Sequence, residues 1–184
     1  MFKKKSLFIT FEGIEGSGKS YQAKKLYNKI LKIGLKPILT REPGGTKSAE
    51  RIRKIILDDY FHDQRKEKFG KYTDTLLYLA ARNEHIHDKI KPAILRKKIV
   101  ICDRFVDSTM AYQVYGKGVN KKFITLIHKK ILGNIKPDIT FIFKLNINKA
   151  MKRINQRKSR NRYDNFTKKF YLNVQRAFLK IART

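Results

Sequence analysis

The residues best suited to chemistry lie near the amino terminus. There, Gly13-Ile14-Glu15-Gly16-Ser17-Gly18-Lys19-Ser20 fits the pattern G-x-x-x-x-G-K-[ST] without a mismatch. Glycines in such a run let successive backbone N–H groups turn inward and form a nest for phosphate oxygens. A helix starting at Lys19 aims its positive dipole end at the same anion. Lys19 then reaches the β- and γ-phosphates, and the Ser20 hydroxyl can ligate magnesium. The order of elements matters as much as the pattern. Leu7–Phe11 reads as a short buried strand, and Ala23, Leu26, Tyr27, Ile30 and Leu31 share one face of a following helix. A glycine-rich turn that happens to contain Lys-Ser would not need that order, so the sequence predicts binding of a nucleoside triphosphate.

Three further groups could act with this loop. Asp103 and Arg104 follow the apolar run Ile99–Cys102, at the strand end where α/β sheets place ligands. An Asp there commonly supports magnesium or its waters, and Arg104 can fork onto phosphate oxygens in a way lysine cannot. The alternative is a helix cap. The polar segment 157–164 carries Arg157, Arg160 and Arg162. Arginines on a closing loop would neutralise the charge that builds up during phosphoryl transfer, and closure would exclude water. In so basic a chain, the same segment also reads as a solvated linker. Tyr78 and Arg82 stand one helical turn apart and offer an aromatic face and a guanidinium. Periodicity alone would put Tyr78 in the core.

The intervening elements give these groups a frame. Strands are predicted at Leu7–Phe11, Lys36–Thr40, Ile99–Cys102 and Ile139–Phe143. Helices are predicted from about residues 48–57, 72–90, 107–116, 121–133, 149–156 and 166–182, with Leu76, Leu77, Leu79, Ala80 and Ile86 as the apolar positions of the second. This alternation predicts a doubly wound parallel sheet in one α/β domain, spanning residues 1–184. No repeat or domain boundary is visible.

Composition bounds the rest. The lone cysteine, Cys102, sits in an apolar run and reads as a small buried hydrophobe; no disulfide can form within the chain, which fits a reducing compartment. Neither a signal peptide nor a long apolar run is present, so a soluble, cytoplasmic protein without membrane contact is expected. The 44 Lys and Arg against 15 Asp and Glu give a net charge of +29. That excess raises the possibility of nucleic-acid binding. Lysine is spread through nearly every segment alongside isoleucine and asparagine, however, so it reads mainly as a solvated surface.

Beyond the phosphate loop, three runs carry a resemblance: Thr40-Arg-Glu-Pro-Gly-Gly-Thr46, Leu77-Tyr-Leu-Ala-Ala-Arg82 and Asp103-Arg-Phe-Val-Asp-Ser-Thr-Met-Ala-Tyr-Gln113. In this order they resemble the thymidylate kinases, and the last run is the most specific to that family. The resemblance implies a phosphate-loop nucleoside monophosphate kinase fold. It also implies transfer of phosphate from Mg-ATP to dTMP during dTTP synthesis, by a homodimer. Residues Gly13, Ile14, Glu15, Gly16, Ser17, Gly18, Lys19 and Ser20 would hold ATP, with Ser20 and Asp103 at the magnesium. Glu15 would also contact the deoxyribose 3′-hydroxyl, Arg53 and Arg104 with Arg41 nearby would grip the dTMP phosphate, and Tyr78 would stack on thymine. Arg82, Ser108 and Gln113 would hydrogen-bond the base, and Tyr163 would pack near the sugar. Some members place a catalytic arginine in the phosphate loop and others in the lid. Here the loop has none, so Arg153, Arg157 and Arg162, in a lid segment of about residues 153–165, match the bacterial type. Family members continue past the last predicted helix, whereas this sequence stops at Thr184; a sheet of four or five strands and a less enclosed adenine side are expected. Another nucleoside monophosphate kinase, or a catalytically weak nucleotide- or polyanion-binding protein, stays open at this point.

Overall fold

The computed structural model describes residues 6–58, 69–156 and 166–183. Among these residues are four parallel strands: β1 (Leu7–Gly13), β2 (Ile38–Arg41), β3 (Ile99–Asp103) and β4 (Ile139–Phe143). They lie in the order β2-β3-β1-β4. The central strands β1 and β3 read as near-continuous apolar runs because helices cover both their faces. Phe8, Ile9, Val100, Ile101 and Cys102 are all buried. At the sheet edge, β4 leaves Ile139 and Phe141 42% and 45% exposed. Because all strands run the same way, β1, β2 and β3 deliver Gly13, Arg41 and Asp103 to one end of the sheet. There the Glu42 N–H donates to Asp103 O at 2.9 Å and the Arg104 N–H donates to Phe11 O at 2.9 Å, stitching the three exits together.

The helices fall close to their predicted spans. They are α1 (Lys19–Lys32), α2 (Lys47–Asp58), α3 (Lys71–His85), α4 (Lys91–Leu95), α5 (Val106–Thr109), α6 (Lys121–Leu132), α7 (Ile147–Asn155) and α8 (Lys168–Ile181). Side-chain caps start α6, α7 and α8: Asn120, Asn146 and Thr167 accept backbone N–H bonds that would otherwise be unpaired. Two π-helical stretches modify the expectation. Ile86–Ile90 links α3 to α4, and Met110–Gly116 extends α5. Among the described residues, no helix is long and apolar enough to cross a membrane.

One expectation holds only in part. Of the apolar stripe predicted for α3, Leu79 and Ile86 are buried and Leu77 is half-buried, but Leu76 is 48% exposed and Ala80 is also exposed. Asp74, Thr75, Arg82 and His85 share the buried face with Leu79 and Ala81. Polar side chains can occupy an interior face when each finds a partner there, and then tertiary pairing overrides the hydrophobic stripe.

Candidate active site

The phosphate loop is compressed between two neighbours. Gly13 adopts φ +144°, and a Cβ there would lie 2.8 Å from Phe143 O; Gly16 adopts φ +72°, and its Cβ would lie 2.7 Å from Ala150 O. Only glycine meets both demands. Ile14 points its side chain into the core, so it serves the loop through its backbone, and its carbonyl accepts Lys19 Nζ at 3.3 Å. Gly18, at φ 91°, caps α1. Lys19 is 6% exposed. Burial lowers its pKa to about 8, with help from Arg104 and against the pull of Asp103, Glu15 and Glu12. Arg153 of α7 donates to Gly16 O at 3.1 Å, bringing a cation onto a loop that carries no arginine of its own.

Arg104 holds a left-handed backbone, φ 72°, which is uncommon outside glycine. Such a conformation persists only where its surroundings over-determine it. Here Glu12, fully buried in β1, accepts the Phe105 N–H at 2.7 Å and the Ser108 hydroxyl at 2.6 Å. Burial, reinforced by Asp107, raises the Glu12 pKa to about 7, against the lowering effect of the Ser108 bond and Arg104. The Arg104 guanidinium donates to Gly13 O at 2.9 Å, Ser108 Oγ at 3.0 Å and Glu15 Oε1 at 2.7 Å. It also lies over the Tyr112 ring, 5.1 Å from its centroid. The second oxygen of Glu15 accepts the Tyr112 hydroxyl. Burial alone would raise the Glu15 pKa; Arg104, Lys19 and Tyr112 outweigh it and hold the pKa below the ordinary carboxylate value.

Across the cleft, Tyr78 is half-buried against the core and lines the opening, as do Arg41 and Arg53. Both arginines turn toward Glu50, Arg41 at 3.2 Å and Arg53 at 3.9 Å, and Arg53 also donates to Pro43 O at 2.7 Å. Arg82 is 3% exposed. It donates to Glu42, Thr109, His128 and the Phe105 carbonyl, all at 2.7–2.8 Å. Burial, with Arg82 beside it, lowers the His128 pKa to about 3, so its ring is neutral and accepts from Arg82.

The cleft holds about 280 Å³, and eleven residues singled out from the sequence line it: Glu15, Lys19, Ser20, Arg41, Arg53, Tyr78, Arg82, Asp103, Arg104, Ser108 and Gln113. Arg157, Arg162 and Tyr163, with Arg160, lie outside the described residues. Among the described residues, the buried side-chain polar atoms without a hydrogen-bond partner are Ser17 Oγ, Asp103 Oδ1 and Gln113 Nε2. Buried polar atoms are nearly always paired, so the two whose residues line this cleft, Asp103 Oδ1 and Gln113 Nε2, mark places kept for a ligand, and Ser17 Oγ lies on the phosphate loop. Asp103 Oδ1 and the Ser20 hydroxyl open onto the same cleft. Two hard oxygens beside a phosphate loop fit magnesium, which takes few protein ligands and completes its shell with phosphates and water.

A sequence model of a family described as thymidylate kinase matches residues 11–184. The chain belongs to the thymidylate kinase family. It is 42% identical to a thymidylate kinase of Wolbachia pipientis wMel over 96% of this chain and 85% of that protein. It is 39% identical to a thymidylate kinase of Oceanobacillus iheyensis over 95% of this chain and 76% of the relative. The crystal structure of thymidylate kinase from Ehrlichia chaffeensis superposes with a TM-score of 0.76 at 36% identity, covering 97% of this chain and 87% of that one. The fold is therefore that of the phosphate-loop nucleoside monophosphate kinases, with the expected α/β sheet. Thymidylate kinases are transferases that use ATP with magnesium, and the donor set around Ser20 and Asp103 agrees with that chemistry.

Several residues at the site escaped the sequence reading. Glu12, Glu42, His85, Tyr112 and His128 hold others in place instead of presenting an obvious reactive group. Glu42 and Tyr112 did lie within the family-like runs, and Arg82 and His85 are three apart on one helix face. No local pattern marks His128, whose partner Arg82 is 46 residues away.

Proposed function

We propose that this cleft transfers the γ-phosphoryl group of ATP to the phosphate of dTMP, yielding dTDP and ADP. A phosphate oxygen of dTMP bonds to the γ-phosphorus while the bond to the β–γ bridging oxygen breaks, and the bridging electrons leave with ADP. The acceptor is already an oxyanion, so no general base is needed; positioning and charge neutralisation do the work. The observation that carries this reading is the set of three orphaned polar atoms, one on the phosphate loop, one at the β3 exit and one on the acceptor wall.

Gly13–Ser20 would cradle the donor phosphates, with Lys19 bridging toward the γ-phosphate. Magnesium, held by Ser20 and Asp103, would neutralise charge on the β- and γ-oxygens. Arg104 would bridge the two halves, with Arg41 and Arg53 leaving Glu50 for the acceptor phosphate. Tyr78 would stack on the base and Gln113 Nε2 would donate to its 4-carbonyl, which cytosine replaces with an amine. Ser108 and Glu15 would line the sugar side. Arg153 supplies the cation nearest the loop among the described lid-side arginines. The family resemblance further implies a homodimer in the cytoplasm. On α2 and α3, Ile55, Tyr72 and Leu76 are 49%, 43% and 48% exposed.

A coupled assay of ADP release with purified protein, Mg-ATP and a panel of nucleoside monophosphates tests the reading. Turnover is expected with dTMP above dUMP, dCMP and the purine monophosphates. A different preferred acceptor, or no ADP release with any of them, would overturn it.

A further inference from the structure

We infer that Glu42 is a positioning residue for the acceptor nucleotide, an inference that rests on the reading of the cleft given above. Glu42 leaves β2 with its backbone tied to Asp103 and its side chain 5% exposed. Its Oε2 lies 2.7 Å from both Nε and one terminal nitrogen of Arg82. Its Oε1 meets Nδ1 of His85 at 3.0 Å. On the far side of the ring, His85 Nε2 and the Thr40 hydroxyl share a hydrogen bond of 2.6 Å. Held below the ordinary carboxylate range by Arg82 and His85 despite its burial, Glu42 stays ionised.

This one carboxylate fixes what Arg82 can offer. A guanidinium has five N–H donors. In Arg82, Nε and one N–H of a terminal nitrogen face Glu42, and the second N–H there reaches Phe105 O at 2.8 Å. The other terminal nitrogen donates to Thr109 at 2.8 Å and His128 at 2.7 Å. Four hydrogen bonds and the ion pair to Glu42 hold the guanidinium in place at the cleft wall, while Gln113 Nε2 is the adjacent donor without a partner.

The same carboxylate reaches toward the acceptor phosphate. Pro43, the next residue, accepts Arg53 through its carbonyl. The loop then passes so close to the network that a Cβ on Gly45 would lie 2.6 Å from both His85 Nε2 and Thr40 Oγ1. Glu42 therefore sets Arg82 at one end of the acceptor and, through its own loop, Arg53 at the other. Its hydrogen bonds bypass residues 13–20, which form the ATP side.

The test is steady-state kinetics on wild type, Glu42→Gln and Glu42→Asp, varying dTMP and ATP separately and recording thermal midpoints. Glutamine keeps the shape but removes the charge paired with Arg82 and leaves one acceptor oxygen where the carboxylate has two. KM for dTMP is expected to rise at least about tenfold in Glu42→Gln, while KM for ATP stays within about twofold. Glu42→Asp, which keeps the charge on a shorter arm, should fall between. If Glu42→Gln does not fold, Glu42→Asp decides on the same criterion with a smaller rise. An unchanged KM for dTMP would overturn the inference. Equal rises for both nucleotides with a lower midpoint would overturn it too, by showing a merely structural role. Failure of the wild type to phosphorylate dTMP would instead refute the underlying reading of the cleft.

Discussion

Around the phosphate loop the backbone makes the site; across the cleft, on the wall of Glu42, Arg82 and Gln113, side chains make it. The loop relies on glycines, a helix start and one lysine, all within Gly13–Ser20. The wall is assembled from residues 42, 82, 85, 109 and 128, which meet only when the sheet and α3 and α6 have packed. A local backbone site tolerates change around it as long as the glycines remain. A side-chain network couples distant segments, so removing one member disturbs the rest.

That contrast yields graded tests. The largest effect is expected at the loop: Lys19→Ala should lower kcat on the order of 10³-fold while far-UV circular dichroism stays unchanged. Transfer that survives at wild-type rate would remove the loop from the chemistry. At the seam between the halves, Glu12 offers a stability test. Its folded pKa, about 7, lies above the ordinary 4.5, so its favourable contribution is complete below pH 4.5 and is lost as pH rises through 7. Relative to Glu12→Gln, the wild type should lose on the order of 3 kcal/mol between pH 4.5 and 8, measured by denaturant unfolding at each pH. A pH-independent difference would show that Glu12 is not buried as described. The smallest effect concerns Lys19 itself. With its pKa near 8, the ammonium deprotonates as pH rises, and ATP affinity should fall a few-fold between pH 7 and 9, read by calorimetric titration. dTMP affinity should move less, because the acceptor wall relies on arginines and a neutral amide.

The same contrast governs what was legible in the sequence. The strand–loop–helix order at residues 7–32 and the four strands follow from local patterns; ten of the eleven cleft residues lie in the phosphate loop or in short runs with a family likeness, and Arg53 is matched to the family outside those runs. The buried face of α3 was legible at Leu79 and Ile86 but not at its polar members, because hydrophobic periodicity assumes that interiors are apolar; Asp74, Thr75, Arg82 and His85 find polar partners there. The family resemblance places Arg82 at the base, but only the structure shows that Glu42, Thr109, His128 and the Phe105 carbonyl hold it there. Ser17, Asp103 and Gln113 were legible as residue types, but their unpartnered atoms emerged only from three-dimensional accounting.

The most direct test of the acceptor wall is the ratio of kcat/KM for dTMP to that for dCMP, measured in the wild type and in Gln113→Leu. Gln113 Nε2 has no protein partner, and a donor there favours a 4-carbonyl over a 4-amine. The wild type should prefer dTMP, and the ratio should fall about tenfold or more in the variant, mainly through lost dTMP activity. An unchanged ratio would contradict the account, because the orphaned amide would then have no part in choosing the base.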